Sequence, residues 1–193
     1  MPEDRHVVAI LAGGESRRMN RLDKALVEIA GRRLIDIVVD RLLPQASRVV
    51  ISGPSDFETG LTVVPDEPDT PRGPVAGVLA VRRWLAANEP GSDGFVTAPV
   101  DGPFVARDLV ERLTRQDRSA IGSDMLGEHP AFGYWRTIDL DLAFPQVPPG
   151  SDLPLRTLAM LCDARLEVFD DTRSLFNLND PEDLRLARKV LEG

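Results

Sequence analysis

Short apolar runs, each too brief for a stable helix, alternate along this chain with longer stretches of helical period. Residues 7–12, 48–52, 62–64 and 95–100 read as buried strands, and 34–43, 75–87 and 105–116 as helices. Parallel strands need a crossover of a dozen or more residues, and the stretches 13–47 and 65–94, each with a helix, are long enough to supply one. The expected fold is α/β, a single three-layer domain over residues 1–193 with a mostly parallel central sheet. Residues 119–122 offer a further strand, and 131–136 (AFGYWR) a β-leaning segment that adds antiparallel late in the sheet. A Pro-rich loop, 145–150, leads to a short amphipathic helix at 153–162 and a strand at 166–169. Asn179-Asp180-Pro181-Glu182-Asp183 announces the last helix, with a polar cap, a first-turn proline and early acids.

The loop after the first strand carries the chemistry. It runs Leu11-Ala12-Gly13-Gly14-Glu15-Ser16-Arg17-Arg18-Met19-Asn20-Arg21-Leu22-Asp23-Lys24. Paired glycines let backbone N–H groups approach a polyphosphate, and the cations neutralise its charge. Because the whole chain has a net charge of −8, the cluster Arg17, Arg18, Arg21, Lys24, Arg32 and Arg33 stands out as a local focus that can steer a small polyanion. The same net charge argues against a general nucleic-acid binder. No apolar stretch reaches membrane-spanning length, and residues 1–5 lack the pattern of a secretory signal, so no membrane partner is expected. A lone cysteine, Cys162, fits a reducing cytoplasm and core packing rather than nucleophilic work.

Two familiar phosphate loops fail on spacing. The glycines are not those of G-x-G-x-x-G, and Lys24 follows Asp23 and precedes Ala25 where a P-loop needs Gly-Lys-Ser/Thr. What remains is a long loop at the carboxyl end of the first strand, where open α/β sheets place ligands.

Residues 11–24 resemble the signature of nucleotidyltransferases of the Rossmann-like (GT-A-like) fold. The closest resemblance is to the molybdenum cofactor guanylyltransferases, whose motif runs Leu-Ala-Gly-Gly-x-Ser/Ala-x-Arg-Met-Gly-x-x-Asp-Lys. Asn20 departs from it where the family has glycine, and asparagine tolerates positive φ better than most residues. Gly14 with Asp23-Lys24 favours the guanylyl branch; cytidylyl relatives more often carry Ala-Ala-Gly and Asn-Lys. Gly73-Pro74-Val75-Ala76-Gly77 resembles the family's Gly-Pro-Leu-Ala-Gly, and Asp66 stands where the family places an acid near the nucleotide. Pro99-Val100-Asp101-Gly102-Pro103 resembles Pro-Cys-Asp-x-Pro, and residues 177–184 (NLNDPEDL) resemble the family's Asn-x-Asn-Thr-Pro-Glu-Glu/Asp-Leu. Ser52 departs from a family asparagine that helps recognise guanine; a serine has one hydroxyl where the amide offers both donor and acceptor.

The resemblance implies transfer of GMP from GTP to the terminal phosphate of molybdopterin, with pyrophosphate released. It implies catalytic roles for Lys24, Asp101, Arg17 and Arg18, and a nucleotide site built from Leu11, Ala12, Gly13, Gly14, Lys24, Ser52, Asp66, Gly77 and Asp101. It also implies Mg²⁺ on Asp101, with Asn179 either joining it or serving as a helix cap. GTP and molybdopterin are the implied small-molecule partners, with transient contact to cofactor-biosynthesis or acceptor proteins. His129 matches a position near the acceptor side, where a single histidine is more often structural. Tyr134 and Trp135 read as sheet residues, either of which could also stack on a pterin. A cytidylyltransferase for the same pterin, a nucleotidyltransferase for another phosphorylated molecule, and a non-catalytic nucleotide-binding homologue stay open at this point.

Overall fold

A computed structural model describes residues 6–13, 24–67 and 71–192. Strand β1 (Val7–Leu11) is buried along its whole length and is followed after the glycine loop by a short 3-10 turn, Lys24–Leu26. A small antiparallel hairpin, β2 (Glu28–Ile29) and β3 (Arg32–Arg33), leads into α1 (Leu34–Leu42). Then come β4 (Arg48–Ser52), β5 (Thr62–Val64), α2 (Pro74–Asn88) and β6 (Gly94–Pro99). The second half contains α3 (Leu109–Thr114), β7 (Ala120–Asp124), β8 (Gly127–Arg136), α4 (Thr137–Ala143), α5 (Leu155–Leu161), β9 (Arg165–Val168) and α6 (Pro181–Glu192).

The main sheet has seven strands in the order β5-β4-β1-β6-β8-β7-β9. The first four are parallel, β8 runs antiparallel to both of its neighbours, and β9 is parallel to β7. The three-layer, mostly parallel α/β expectation is therefore met. Alternation along β1 assigns the layers. Val8 and Ile10 join the core under α1 and α3, while Val7, Ala9 and Leu11 join the opposite core under α2, α4 and α5. A third apolar cluster, including Ile29, Leu34, Ile37, Phe104, Leu178 and Ala187, fastens α6 over α1 and the hairpin.

Two local bounds need correction, the start of the antiparallel strand and the length of the helix expected at 105–116. The antiparallel strand expected late in the sheet is present as β8, and its place is between β6 and β7, fixed by the buried Trp135, whose Nε1 donates to Thr97 Oγ1 at 2.9 Å. Its start lies four residues earlier than residue 131. Ile121 pairs with Gly133 and Gly122 with His129, so residues 130–132 bulge out of the ladder, as suits Pro130, which has no N–H to donate. The helix expected at 105–116 shortens to α3, because residues 105–108 are spent in turns whose carbonyls receive Arg41 and Gln45.

Candidate active site

The parallel half of the sheet ends in a cluster of the expected nucleotide residues. Leu11 is paired with Ser52 on one side and Pro99 on the other, so three strand ends meet at one edge. Ala12 N–H donates to the Ser52 carbonyl at 2.8 Å, and Val100 N–H to the Leu11 carbonyl at 3.1 Å. Ser52 is 2% exposed. A methyl group at residue 77 would sit 2.5 Å from Ser52 Oγ and 3.7 Å from Asp66 Oδ1, so only glycine lets α2 start this close to β4. Gly73, at φ +70°, supplies the turn that starts α2, with Pro74 in its first turn. At Gly13, among the described residues, a methyl group would meet nothing nearer than Asp66 Oδ2 at 3.9 Å. Asp66 is exposed, yet partial desolvation by its surroundings raises its carboxyl above its ordinary value.

Next to this cluster stands an ion pair. Lys24 Nζ lies 2.6 Å from Asp101 Oδ2, with the two side chains 22% and 15% exposed. The same ammonium donates to the Leu178 carbonyl at 3.0 Å, and Leu178 N–H donates to the Asp101 carbonyl at 2.8 Å. Leu178 was not foreseen as a site residue. Its signal is a fully buried leucine between two asparagines, which forces the backbone of this segment against the end of β6.

The remaining expectations divide. Gly14, Arg17 and Arg18 lie outside the described residues. Arg32 and Arg33 do not join Lys24: the first pairs with Asp40, and the second with Asp36, whose hydrogen bond raises the Arg33 pKa. Asn179 is not a helix cap. Asp180 Oδ1 accepts the N–H groups of Glu182 and Asp183, while the Asn179 amide donates only to the Asn177 carbonyl, at 3.3 Å. Its neighbour Asn177 keeps a buried Oδ1 with no hydrogen-bond partner. His129 pairs with the fully buried Asp124 at 3.0 Å. Burial alone would raise the Asp124 carboxyl, but His129 and the N–H groups of Leu126 and Gly127 together hold it below its ordinary value. Tyr134 and Trp135 are 2% and 0% exposed, which removes both as platforms for a pterin. Cys162 is buried, and its thiol is pushed up to about 12, so it packs rather than reacts. Among the described residues no three His, Cys, Asp or Glu side chains group as metal ligands, and no helix is long and apolar enough to cross a membrane.

A MobA-like NTP transferase domain matches residues 8–139, a span that holds Gly13, Lys24, Ser52, Asp66, Gly77 and Asp101. The chain belongs to the MobA-like NTP transferase family. Within it, the chain is 41% identical over 188 residues to the molybdenum cofactor guanylyltransferase of Cereibacter sphaeroides, covering 94% of this chain and 95% of that protein. The one of Rhodobacter capsulatus is 38% identical, with 94% of each chain covered. The fold is shared with molybdopterin-guanine dinucleotide biosynthesis protein A from Archaeoglobus fulgidus. That structure has a TM-score of 0.69 at 21% identity, covering 96% of this chain and 98% of that one. The motif residues of this chain that lie within the described residues gather at one sheet edge.

Proposed function

We propose that this chain transfers GMP from GTP to the terminal phosphate of molybdopterin and releases pyrophosphate. The observation that carries the reading is the Lys24–Asp101 pair, set at the strand edge beside Gly13, Ser52, Asp66 and Gly77. Names of relatives up to 41% identical support guanine and the molybdenum cofactor as the substrates.

The chemistry suits a site without a general base. A phosphate monoester is already anionic near neutral pH, its second pKa being about 6. One of its oxygens forms a bond to the α-phosphorus of GTP as the bond from that phosphorus to the bridging oxygen breaks. The electron pair leaves with pyrophosphate. Rate then comes from in-line positioning and from neutralising charge. Lys24 would stabilise the leaving pyrophosphate, helped by Arg17 or Arg18, and Gly13 and Gly14 would supply backbone N–H groups to the phosphates. The Lys24 ammonium donates to Asp101 and to the Leu178 carbonyl, contacts that keep it at the edge this reading assigns to the triphosphate. Ser52, Asp66 and Gly77 form the nucleoside end, with backbone groups beside the Ser52 hydroxyl reading the base.

The donor set fits Mg²⁺, which is commonly held by one or two carboxylates together with substrate phosphates and water. Asp101 would hold it, with the side-chain amide oxygen of Asn179 as a second donor. When bound, it neutralises phosphate charge. A cytoplasmic setting is part of this reading, supported by the lone cysteine, Cys162.

A panel of GTP, CTP, ATP and UTP with Mg²⁺, each with and without molybdopterin, tests the reading by pyrophosphate release. Release with GTP and molybdopterin together is expected. Release with CTP alone among the nucleotides would make the chain a cytidylyltransferase, and nucleotide binding with no release would make it a non-catalytic homologue.

A further inference from the structure

Away from the strand edge, the hairpin, α1 and the end of α6 enclose a cavity of about 570 Å³, within the range of small-molecule pockets. Its apolar lining includes Ile29, Ile37 and Leu191, and its polar lining is Arg32, Arg41, Arg107 and Asp40. Arg32 and Asp40 neutralise one another at the exposed rim, where their side chains are 52% and 64% exposed. Two guanidinium groups are left over. Arg41 spends one donor, Nη1, on the neutral Val105 carbonyl at 3.1 Å. Arg107 is exposed and has no hydrogen bond or ion pair among the described residues. Burial pulls the Arg41 pKa below its ordinary value, and the charge of Arg107 pulls it in the same direction, so the two cations repel each other. A chain with a net charge of −8 has acids to spare, yet none of the described residues neutralises these two.

We infer that this cavity is an anion site, separate from the strand-edge site, for a small phosphate-bearing molecule. The phosphate would sit between Arg41 and Arg107, whose forked donors suit its oxygens. Ile29 and Ile37, 1% and 5% exposed, form the floor and belong to the core, and Leu191 is the partly exposed apolar side chain at the wall. Guanidinium donors that otherwise meet only a neutral carbonyl then find their counter-charge.

The test uses the full chain with Lys24→Ala, which weakens phosphate binding at the strand edge. Phenyl phosphate and inorganic phosphate are titrated by calorimetry at constant ionic strength, and amide chemical shifts are followed in parallel. Saturable binding of both probes is expected, with shifts centred on Ala30, Ile37 and Arg41. Arg107→Gln, a surface change that leaves the core alone, is expected to weaken binding at least tenfold. Absence of saturable binding, equal affinity with and without Arg107, or shifts confined to Gly13 and Asp101 would each overturn the inference.

Discussion

The two halves of the sheet solve the placing of charged groups in opposite ways. In β5-β4-β1-β6, parallel register alone brings Leu11, Ser52 and Pro99 side by side, and the Lys24–Asp101 pair gathers beside them with its side chains part-exposed. In β8-β7-β9, the charge is turned inward. Glu167 on β9 is 1% exposed and is enclosed by Arg165 at 2.5 Å, Arg115 at 2.8 Å and Arg112 at 3.3 Å, while Arg112 also lies 4.1 Å above the Phe169 ring. A network that surrounds its buried carboxylate with cations holds a shape. An unsaturated strand edge is left free to bind. The Lys24–Asp101 pair belongs to the first half by position, yet its third member, Leu178, arrives from a segment 154 residues from Lys24.

The comparison can be broken at several points. The largest effect is expected from Asp101→Asn or Lys24→Ala, each lowering kcat on the order of 100- to 1,000-fold with little change in melting temperature. Steady-state pyrophosphate release and circular dichroism check both parts. Glu167→Ala should do the reverse. It leaves three cations around an empty place and should cost about 3 kcal/mol in denaturant unfolding, while KM for GTP stays near the wild-type value. A loss of nucleotide affinity in that variant would show that the halves are coupled.

Smaller effects sharpen the nucleotide edge. Gly77→Ala pushes a methyl group onto Ser52 Oγ and should destabilise the fold by about 1–3 kcal/mol, with a raised KM for GTP. Adding Ser52→Ala should recover part of both losses, and its failure to do so would mean that the clash is elsewhere. The smallest effect concerns Asp66, whose folded-state pKa lies above its unfolded value. Such an acid favours the folded state while protonated, so its contribution is lost as pH rises from the ordinary carboxylate range through the raised value. Asp66→Asn should flatten stability across that window and slightly raise the melting temperature at neutral pH. No difference is expected at pH values where both forms are protonated.

Much of the first half was legible in the sequence because its information is local. Apolar runs mark β1, β4, β5 and β6, and the motif residues follow directly at their carboxyl ends. What escaped depends on contacts between distant segments. The insertion of β8 between β6 and β7 is fixed by Trp135 meeting Thr97, and nothing within residues 131–136 says which strand they will pair with. The two-residue strands β2 and β3 are too short for any periodicity, and they exist because Ala30 and Gly31 turn at positive φ. Asn179 and Asp180 both suit a helix cap by type, and only the path of the backbone from Leu178 decides for Asp180. Arg32 and Arg33 looked like part of one basic focus because sequence proximity to Lys24 was the only guide. Their acids lie on α1, one turn or more away.

The most direct measurement follows label from GTP into product with purified protein, molybdopterin and Mg²⁺. Label at the α-phosphate is expected to appear in the pterin dinucleotide, and label at the γ-phosphate in free pyrophosphate, with both transfers lost in Asp101→Asn. Transfer of the γ-label to the pterin, or undiminished α-transfer in the Asp101→Asn protein, would contradict a nucleotidyl-transfer site built on Lys24 and Asp101.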